Sequence, residues 1–336
     1  MIRPNIFEFA TSELSQDALL AYLIQWGDNK FKAEDRDLND CAKSFIIKLL
    51  NLDSSYKIDS VKVGRQWNNI DVWALVNNKH FIVIEDKVST KEHSNQLIKY
   101  SSIAKKHYEN TDIEVKLIYY KMEEQGQLKN VHEAGYSIFQ RVDMISILNK
   151  YTSKNIPKHN DIILDYYRNL ISIDNKINSF QKLPFTKWHK YSWQGFYSEL
   201  QKELGGSWDY IPNASGGFIG FWWNYKFSKT NEYEYYLLLQ EGKLVIKLYV
   251  YNETKRREIR HFIRSVLFTQ AKKQNIELIK FGRLGANMGV AALTCDYRIL
   301  NSEKVIDLPL TVNKLKEIES LLNQTEHAIN NSCSLS

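Results

Sequence analysis

The sequence contains few of the residues that mark specialised protein classes. Its 336 residues include only 3 Cys, 5 Pro and 14 Gly. Cys41, Cys295 and Cys333 are far apart and form no CxxC pair. This spacing excludes a disulfide framework and a cysteine zinc site, and it indicates ordinary reduced thiols. The scarcity of Pro and Gly excludes collagen-like and low-complexity chains.

Long hydrophobic runs and zinc hydrolase motifs are also missing. No run approaches the ~18 apolar residues of a membrane span, and Met1 is not followed by a positive segment leading into an apolar stretch. We therefore expect a cytoplasmic protein without membrane contact. The 8 His form no HExxH or HxH pair. Lys plus Arg, 45 against 39 for Asp plus Glu, is a mild excess that tolerates a polyanionic partner without requiring one.

Composition and apolar periodicity predict two domains, residues 1–178 and 179–336. In the first, we predict helices and strands, in chain order, at 11–26, 33–50, 57–65, 71–76, 80–88, 89–108, 114–121, 143–149 and 161–175. This order is typical of an α/β layer sandwich. Ser89 and Glu92, a capping-box pair, place the start of the helix at 89–108. The second domain is aromatic-rich and is predicted to be α+β, with strands and helices at 233–240, 243–251, 254–273 and 312–329.

The strands at 71–76 and 80–88 are predicted to form a hairpin, because Asn and Lys in the connection accept positive φ. A two-residue loop would set Asp71 opposite Ile84, whereas a three-residue loop sets Asp71 opposite Glu85. In the second register Asp71, Glu85 and Lys87 share one strand face. Both faces are otherwise apolar, which is typical of a central strand covered on both sides.

Two adjacent carboxylates beside a lysine are suited to metal-assisted phosphodiester hydrolysis. Mg²⁺ takes one or two carboxylates and keeps water and phosphate oxygens at its other positions. Lys87 could neutralise charge or orient the attacking water. The alternative is a solvated strand end with an ordinary Lys–Glu pair, and the two apolar faces favour the metal site over it.

At NIDVW (69–73) and IEDKV (84–88) the sequence resembles the core of the PD-(D/E)XK nuclease superfamily, with Glu85-Asp86-Lys87 as the (D/E)XK element. The resemblance implies an α/β fold: a PD-(D/E)XK restriction-endonuclease-like core, a mixed sheet flanked by helices, here followed by the C-terminal α+β domain. It also implies that Asp71 and Glu85 bind Mg²⁺ or Mn²⁺ and that Lys87 assists the water.

Further residues extend the resemblance over roughly residues 5–175. Gln96 and Tyr100 resemble the QxxxY helix of exonuclease-like branches, where such residues contact nucleic acid. Glu13 resembles the extra acidic metal ligand that those branches carry on their first helix. The opening SELSQDALLAYLIQWGD resembles that of a large bacterial family within the superfamily.

Two residues depart from the superfamily pattern. Ile70 stands where Pro is common before the first acidic residue. Asp86 adds an acid on the opposite strand face, where it could be structural or could compete for the metal. Neither departure removes a member of the Asp71, Glu85 and Lys87 trio.

Each accessory residue also has a simpler interpretation. The helix dipole accounts for Glu13 in the first turn as well as a ligand role does. Gln96 is equally well an ordinary polar residue on a half-exposed helix, and core packing is the favoured interpretation of Tyr100.

The second domain contains two features that could contact nucleic acid. Arg256, Arg260 and Arg264 recur on one face of the helix at 254–273 and could follow a nucleic-acid backbone, although a solvated helix face is the simpler account. The aromatic residues around Trp222 could stack on bases, although core packing is favoured.

The favoured function is a divalent-metal-dependent nuclease using Mg²⁺ or Mn²⁺. The resemblance favours DNA over RNA as the substrate, and restriction, phage defence or repair as the role. A homodimer or a partner protein remains open. The alternative is a catalytically inactive module on the same fold that binds nucleic acid or a partner.

Overall fold

A computed structural model describes residues 4–92, 95–213 and 216–332. Met1 and Cys333, which entered the sequence argument, lie outside the described residues. The chain divides between Lys176 and Ile177 into two compact units. Within the described ranges, no helix is both long enough and apolar enough to cross a membrane.

The N-terminal unit alternates helices with a sheet. Its helices are α1 (Glu13–Gln25), α2 (Arg36–Leu50), α3 (Gln96–His107), α4 (Lys129–Glu133), α5 (Arg141–Thr152) and α6 (Asp161–Ile177), the last of which ends at the boundary. Its strands are β1 (Val61–Trp67), β2 (Ile70–Val76), β3 (His80–Lys87), β4 (Glu114–Lys121) and β5 (Ser137–Gln140). The short α4 and β5 are the two elements that the sequence patterns did not predict.

In the described part of this unit, five strands form one mixed sheet in the order β1-β2-β3-β4-β5. β1, β2 and β3 are antiparallel neighbours, whereas β4 and β5 run parallel to β3. Parallel neighbours need a crossover connection, and α3 lies in the one between β3 and β4. The predicted mixed sheet flanked by helices is therefore confirmed.

The hairpin register also follows the prediction. Val76 pairs with His80 and Val72 with Ile84, which is the register of a three-residue loop. Asn77 and Asn78 adopt left-handed φ angles of 52° and 51°, a conformation that Asn tolerates better than most residues. Extended by one residue, this register places Asp71 opposite Glu85.

Apolar side chains cover both faces of the hairpin. One set packs with α1, α2, α5 and α6: Val72, Ala74, Val76, Ile82 and Ile84. The other set packs with α3 and β4: Phe81 and Val83, with Trp73 and Leu75 partly buried. Because both faces exclude water, a charged residue of β3 would lose its hydration anywhere except at the end of the strand.

The start of α3 was predicted wrongly. The helix begins at Gln96, after Asn95, and not at Ser89. The segment after β3 is bonded elsewhere: the Thr90 hydroxyl donates to Glu13, and the Glu92 carboxylate accepts from the Gln125 amide at 3.0 Å. The predicted capping residues therefore lie in a loop beside the strand end.

The C-terminal unit is one antiparallel sheet with helices on one face. Its strands are β6 (Ser207–Asn213), β7 (Gly216–Phe227), β8 (Tyr233–Gln240), β9 (Lys243–Val250), β10 (Leu278–Lys280) and β11 (Asn287–Leu293). Its helices are α7 (Lys190–Leu204), α8 (Arg256–Lys273) and α9 (Leu308–Ser332). The strand order is β10-β11-β9-β8-β7-β6. Side chains such as Phe196, Ile263 and Ile318 join Leu237 and Ile246 of the sheet in a single core.

Helix α7 approaches the chain at Ile177 so closely that only glycine fits at position 195. A Cβ on Gly195 would overlap the backbone oxygen of Ile177, whereas a Cβ on Gly285 would meet nothing within 4 Å. Ala is favoured over Gly in a helix by about 1 kcal/mol, but overpacking against backbone costs about 1–3 kcal/mol, so the clash prevails.

We expect Gly195→Ala to lower the free energy of unfolding by about 1–2 kcal/mol and the melting temperature by several degrees. Gly285→Ala is the matched control and should change stability by less than about 0.5 kcal/mol. Urea unfolding monitored by tryptophan fluorescence measures the free energy of unfolding, and calorimetry measures the melting temperature. Equal stability of the two variants would show that the α7 contact is not close.

Candidate active site

Three chain segments meet where β3 ends. Glu85 and Lys87 lie in the last three residues of β3, and Asp71 lies at the start of the antiparallel neighbour β2. Glu13 opens α1, whose first turn lies beside the residue that follows β3. The register and the helix start therefore place four charged side chains at one edge of the sheet.

Lys87 is the centre of this group. Its Nζ lies 2.6 Å from Glu85 Oε1, 3.8 Å from Glu13 Oε2 and 3.9 Å from Asp71 Oδ2. The ammonium also donates to the Asp86 carbonyl at 3.1 Å. Burial acts to lower the pKa of Lys87, but the charge of Glu85 and then of Asp71 outweighs it, so the pKa ends above its ordinary value.

Of the three carboxylates facing Lys87, Glu85 and Asp71 are poorly hydrated. Glu85 is fully buried, and burial followed by the charge of Asp71 raises its pKa to about 8. Burial is also the main reason that the pKa of Asp71 is raised. Asp71 Oδ2 accepts the Asp86 backbone N–H at 3.1 Å, which fixes its orientation. Two close carboxylates with raised pKa values are stabilised by a shared proton or by a cation.

Glu13 is held by the segment after β3. Its Oε1 accepts hydrogen bonds from the Val88 N–H at 3.3 Å and from the Thr90 hydroxyl. Its Oε2 is the oxygen that faces Lys87. Glu13 therefore lies at the site, as expected, and its role as a metal ligand stays a prediction.

A second acidic pair lies on the opposite face of β3. Asp86 is fully buried and accepts a hydrogen bond from the Gln16 amide, while its Oδ2 has no partner in the described residues. Burial, then the charge of Asp17, raises the pKa of Asp86 well above the ordinary value. Burial, then the charge of Asp71, raises the pKa of Asp17 to about 7. Asp86 thus points away from Lys87, into the layer beneath α1.

Lys121 is a buried lysine that sequence reasoning missed. It ends β4 and is the register partner of Lys87 on β3. Its ammonium donates to the carbonyls of Thr90 at 2.6 Å and of Val88 at 3.1 Å, in the segment that holds Glu13. The sequence contained a signal for it, because Lys121 ends the apolar run LIYYK in the same way that Lys87 ends the strand β3. Lys121 therefore fixes the loop that positions Glu13.

A comparison with family models decides the classification. The model of the PD-(D/E)XK nuclease superfamily matches residues 4–191, more than half of the chain and all of the elements that build the site. The chain belongs to the PD-(D/E)XK nuclease superfamily. A search of the curated proteins and a search of the solved structures each found no match. Members of the superfamily are typically nucleases and generally use divalent metals.

The donor set of this superfamily member fits a divalent cation with few protein ligands. Both carboxylate oxygens of Glu85 are buried, and Oε1 lies 2.6 Å from Lys87 Nζ. Over the described residues, no three His, Cys, Asp or Glu side chains form a group that could hold a metal ion. The site thus offers the carboxylates of Asp71 and Glu85, the number that Mg²⁺ typically takes from a protein.

Gln96 and Tyr100, the two residues of α3 that were predicted to contact nucleic acid, contact each other. The Gln96 amide donates to the Tyr100 hydroxyl at 3.3 Å, and Gln96 Oε1 is buried without a hydrogen-bond partner in the described chain. Tyr100 packs with Val83 and Tyr119 on the sheet face that carries Glu85. Tyr100 therefore contributes to packing, and contact of either residue with nucleic acid stays a prediction.

The arginines of α8 have backbone acceptors in the second unit. Arg260 donates to the carbonyls of Phe281, Gly282 and Gly289, and Arg264 donates to those of Phe281 and Val290. Arg256 pairs with Glu253 at 3.0 Å. These contacts give the guanidinium groups a structural task, and their contact with nucleic acid stays a prediction.

The raised pKa of Asp17 has a consequence for stability. A carboxyl whose pKa is about 7 in the folded state and 3.8 in the unfolded state binds its proton more tightly when folded. The stability that this proton contributes is complete below pH ~4 and is lost as the pH rises to about 7.

We expect Asp17→Asn to flatten the fall in the free energy of unfolding between about pH 4 and pH 7, by at most ~1.4 kcal/mol per pH unit. Urea unfolding in EDTA at a series of pH values measures the slope. Asp40→Asn, which changes an exposed carboxylate on α2, should leave the wild-type slope. Identical slopes for Asp17→Asn and wild type would contradict the assigned pKa.

Proposed function

We propose that this protein is a divalent-metal-dependent nuclease that hydrolyses phosphodiester bonds, with DNA as the favoured substrate and Mg²⁺ or Mn²⁺ as the cofactor. The observation that carries the proposal is the placement of Asp71, Glu85 and Lys87 together at the buried end of β3. The superfamily match over residues 4–191 supports it. The preference for DNA rests on the resemblance of the sequence motifs.

Asp71 and Glu85 are the residues that would hold the cation. When bound, a divalent metal withdraws charge from a phosphoryl oxygen and lowers the pKa of a coordinated water. The two carboxylates are already fixed before binding, Asp71 by the Asp86 N–H and Glu85 by its burial beside Lys87. They therefore need little reorganisation to take up a cation.

Lys87 would position the attacking water and balance charge at the phosphate. Lys87 is only 5% exposed, so few water molecules can reach its ammonium. Carboxylates on three sides keep the ammonium protonated and limit its movement. A protonated lysine held in this way can donate a hydrogen bond to the nucleophile or to a non-bridging phosphate oxygen.

We expect Lys87→Ala and Asp71→Asn to lower Mg²⁺-dependent cleavage by about 10²–10⁴-fold, because each removes a group that acts at the reacting phosphate. The assay uses linear, circular and single-stranded DNA and RNA, with Mg²⁺ or Mn²⁺. Lys79→Ala, in the exposed turn of the same hairpin, is the matched control and should keep wild-type activity.

The cleavage assay also distinguishes a nuclease from a catalytically inactive binding module. Cleavage that survives Lys87→Ala would remove the assigned role of the lysine. Absence of cleavage by the folded wild-type protein on every polymer, together with nucleic-acid binding in EDTA that ignores Lys87→Ala, would favour a catalytically inactive module.

Metal binding can be measured without any substrate. We expect Mn²⁺ or Mg²⁺ at millimolar concentration to raise the melting temperature of the wild-type protein, because a ligand that binds only the folded state stabilises it. Asp71→Asn and Glu85→Gln should abolish the rise. Asp86→Asn should keep it, since Asp86 points to the opposite face of β3. Loss of the rise in Asp86→Asn alone would move the metal to the layer beneath α1.

A further inference from the structure

The helices of the C-terminal unit pack against one face of its sheet. Side chains at odd positions of β8, such as Tyr235 and Leu237, enter the core with α7, α8 and α9. The register places the alternate residues on the other face, which we call the open face. Its members along β7, β8 and β9 include Tyr225, Phe227, Glu234, Tyr236, Lys243, Lys247 and Tyr249. Leu238 and Val245 lie on the same face and are buried, so only part of this face is exposed.

Aromatic rings on this face lie nearly parallel to one another. Tyr225 stacks on Tyr236 with ring centroids 4.5 Å apart and planes 22° apart, and on Phe227 at 6.2 Å and 17°. A bulge between Trp223 and Lys226 produces this arrangement, with Asn224 at a positive φ of 54°. The bulge turns Tyr225 onto the open face while Lys226 pairs with Glu326 of α9.

The outer rings of this group are accessible. Phe227 is 57% exposed and Tyr225 is 40% exposed. Tyr251, just beyond β9, is 54% exposed and packs edge-on against Tyr249. The exposed faces of such rings are flat surfaces on which a further planar group can stack.

The open face also carries two lysines. Lys243 and Lys247 lie on the open face of β9, and within the described residues neither contacts a carboxylate. Lys247 is half-buried between Tyr236 and Gly289 in the register, and burial lowers its pKa. The carboxylate among the rings is Glu234, which accepts from the Tyr251 hydroxyl at 3.4 Å. An ammonium that is partly desolvated and unpaired is complementary to an anion.

We propose that the open face binds single-stranded nucleic acid, with bases stacked on Tyr225, Phe227 and Tyr251 and phosphates at Lys243 and Lys247. Rings and cations together match a ligand in which planar groups alternate with negative charge. A single strand fits and a duplex does not, because paired bases keep their flat faces inside their own stack. The inference rests on the proposed function in that nucleic acid is the ligand of both sites.

The test is binding without cleavage. Fluorescence anisotropy in EDTA measures the affinity of the full-length protein for labelled dT20, rU20 and a DNA duplex of 20 base pairs. We expect dT20 or rU20 to bind more tightly than the duplex. The affinities of dT20 and rU20 then show whether the face prefers DNA or RNA. Phe227→Ala and Tyr225→Leu should each weaken strand binding by about fivefold or more, whereas Tyr225→Phe, which keeps the ring, should bind like wild type.

The lysine contribution has its own signature. Lys247→Met keeps the buried aliphatic stem and removes the charge, so it should lower the slope of log affinity against log salt by about 0.7, the value for one phosphate contact with a single strand. Lys273→Met, at the exposed end of α8, is the matched control and should leave the slope unchanged. Circular dichroism and melting temperature establish that every variant is folded.

Three results would overturn the proposal: no binding of either strand by the wild-type protein, binding that all of the open-face variants retain, or equal losses for duplex and single strand. Self-association that Phe227→Ala abolishes, without strand binding, would assign the face to a second copy of the chain. Failure here is distinct from failure of the proposed nuclease. If the protein cleaves DNA with Mg²⁺ but shows one of these results, only the proposal for the open face is wrong. If it binds single strands through the open face but does not cleave, only the proposed nuclease activity is wrong.

Discussion

The three-residue turn between β2 and β3 fixes the geometry on which the site depends. Side chains in a strand alternate between faces, so a slip of one residue would exchange every side chain of β2 with the face opposite. Asp71 would then lie beneath α1, away from Glu85 and Lys87. The left-handed Asn77 and Asn78 thus determine which acids meet, although neither lies near the site.

Burial is the second constraint, and it explains why these charges tolerate one another. A buried charge costs several kcal/mol unless it is paired. At the end of β3, Lys87 pairs with Glu85 and approaches Asp71 and Glu13, so three carboxyl groups surround one ammonium. Raised pKa values reduce the cost of burial for Glu85 and Asp71 here and for Asp17 and Asp86 on the other face. The excess of carboxyl groups over ammonium groups is the feature that a divalent cation would suit.

The sequence predicted the parts of this arrangement that depend on local chemistry. Loop length gave the register, alternation gave the two apolar faces, and both follow from backbone geometry alone. The start of α3 could not be predicted in the same way, because Thr90 and Glu92 bond to Glu13 and Gln125, residues distant in the sequence. Similarly, the four-residue spacing of Arg260 and Arg264 indicated a shared helix face but not the carbonyl groups to which the two side chains donate.

The pairing of Lys121 with the loop after β3 has a consequence for how the site meets a substrate. Lys121 holds two carbonyls of that loop, and the loop in turn holds the carboxylate of Glu13. The conformational entropy of the loop is therefore lost when the protein folds and not when a ligand arrives. The segment after β3 therefore behaves as a rigid extension of the sheet, which keeps Glu13 in place without any contribution from a ligand.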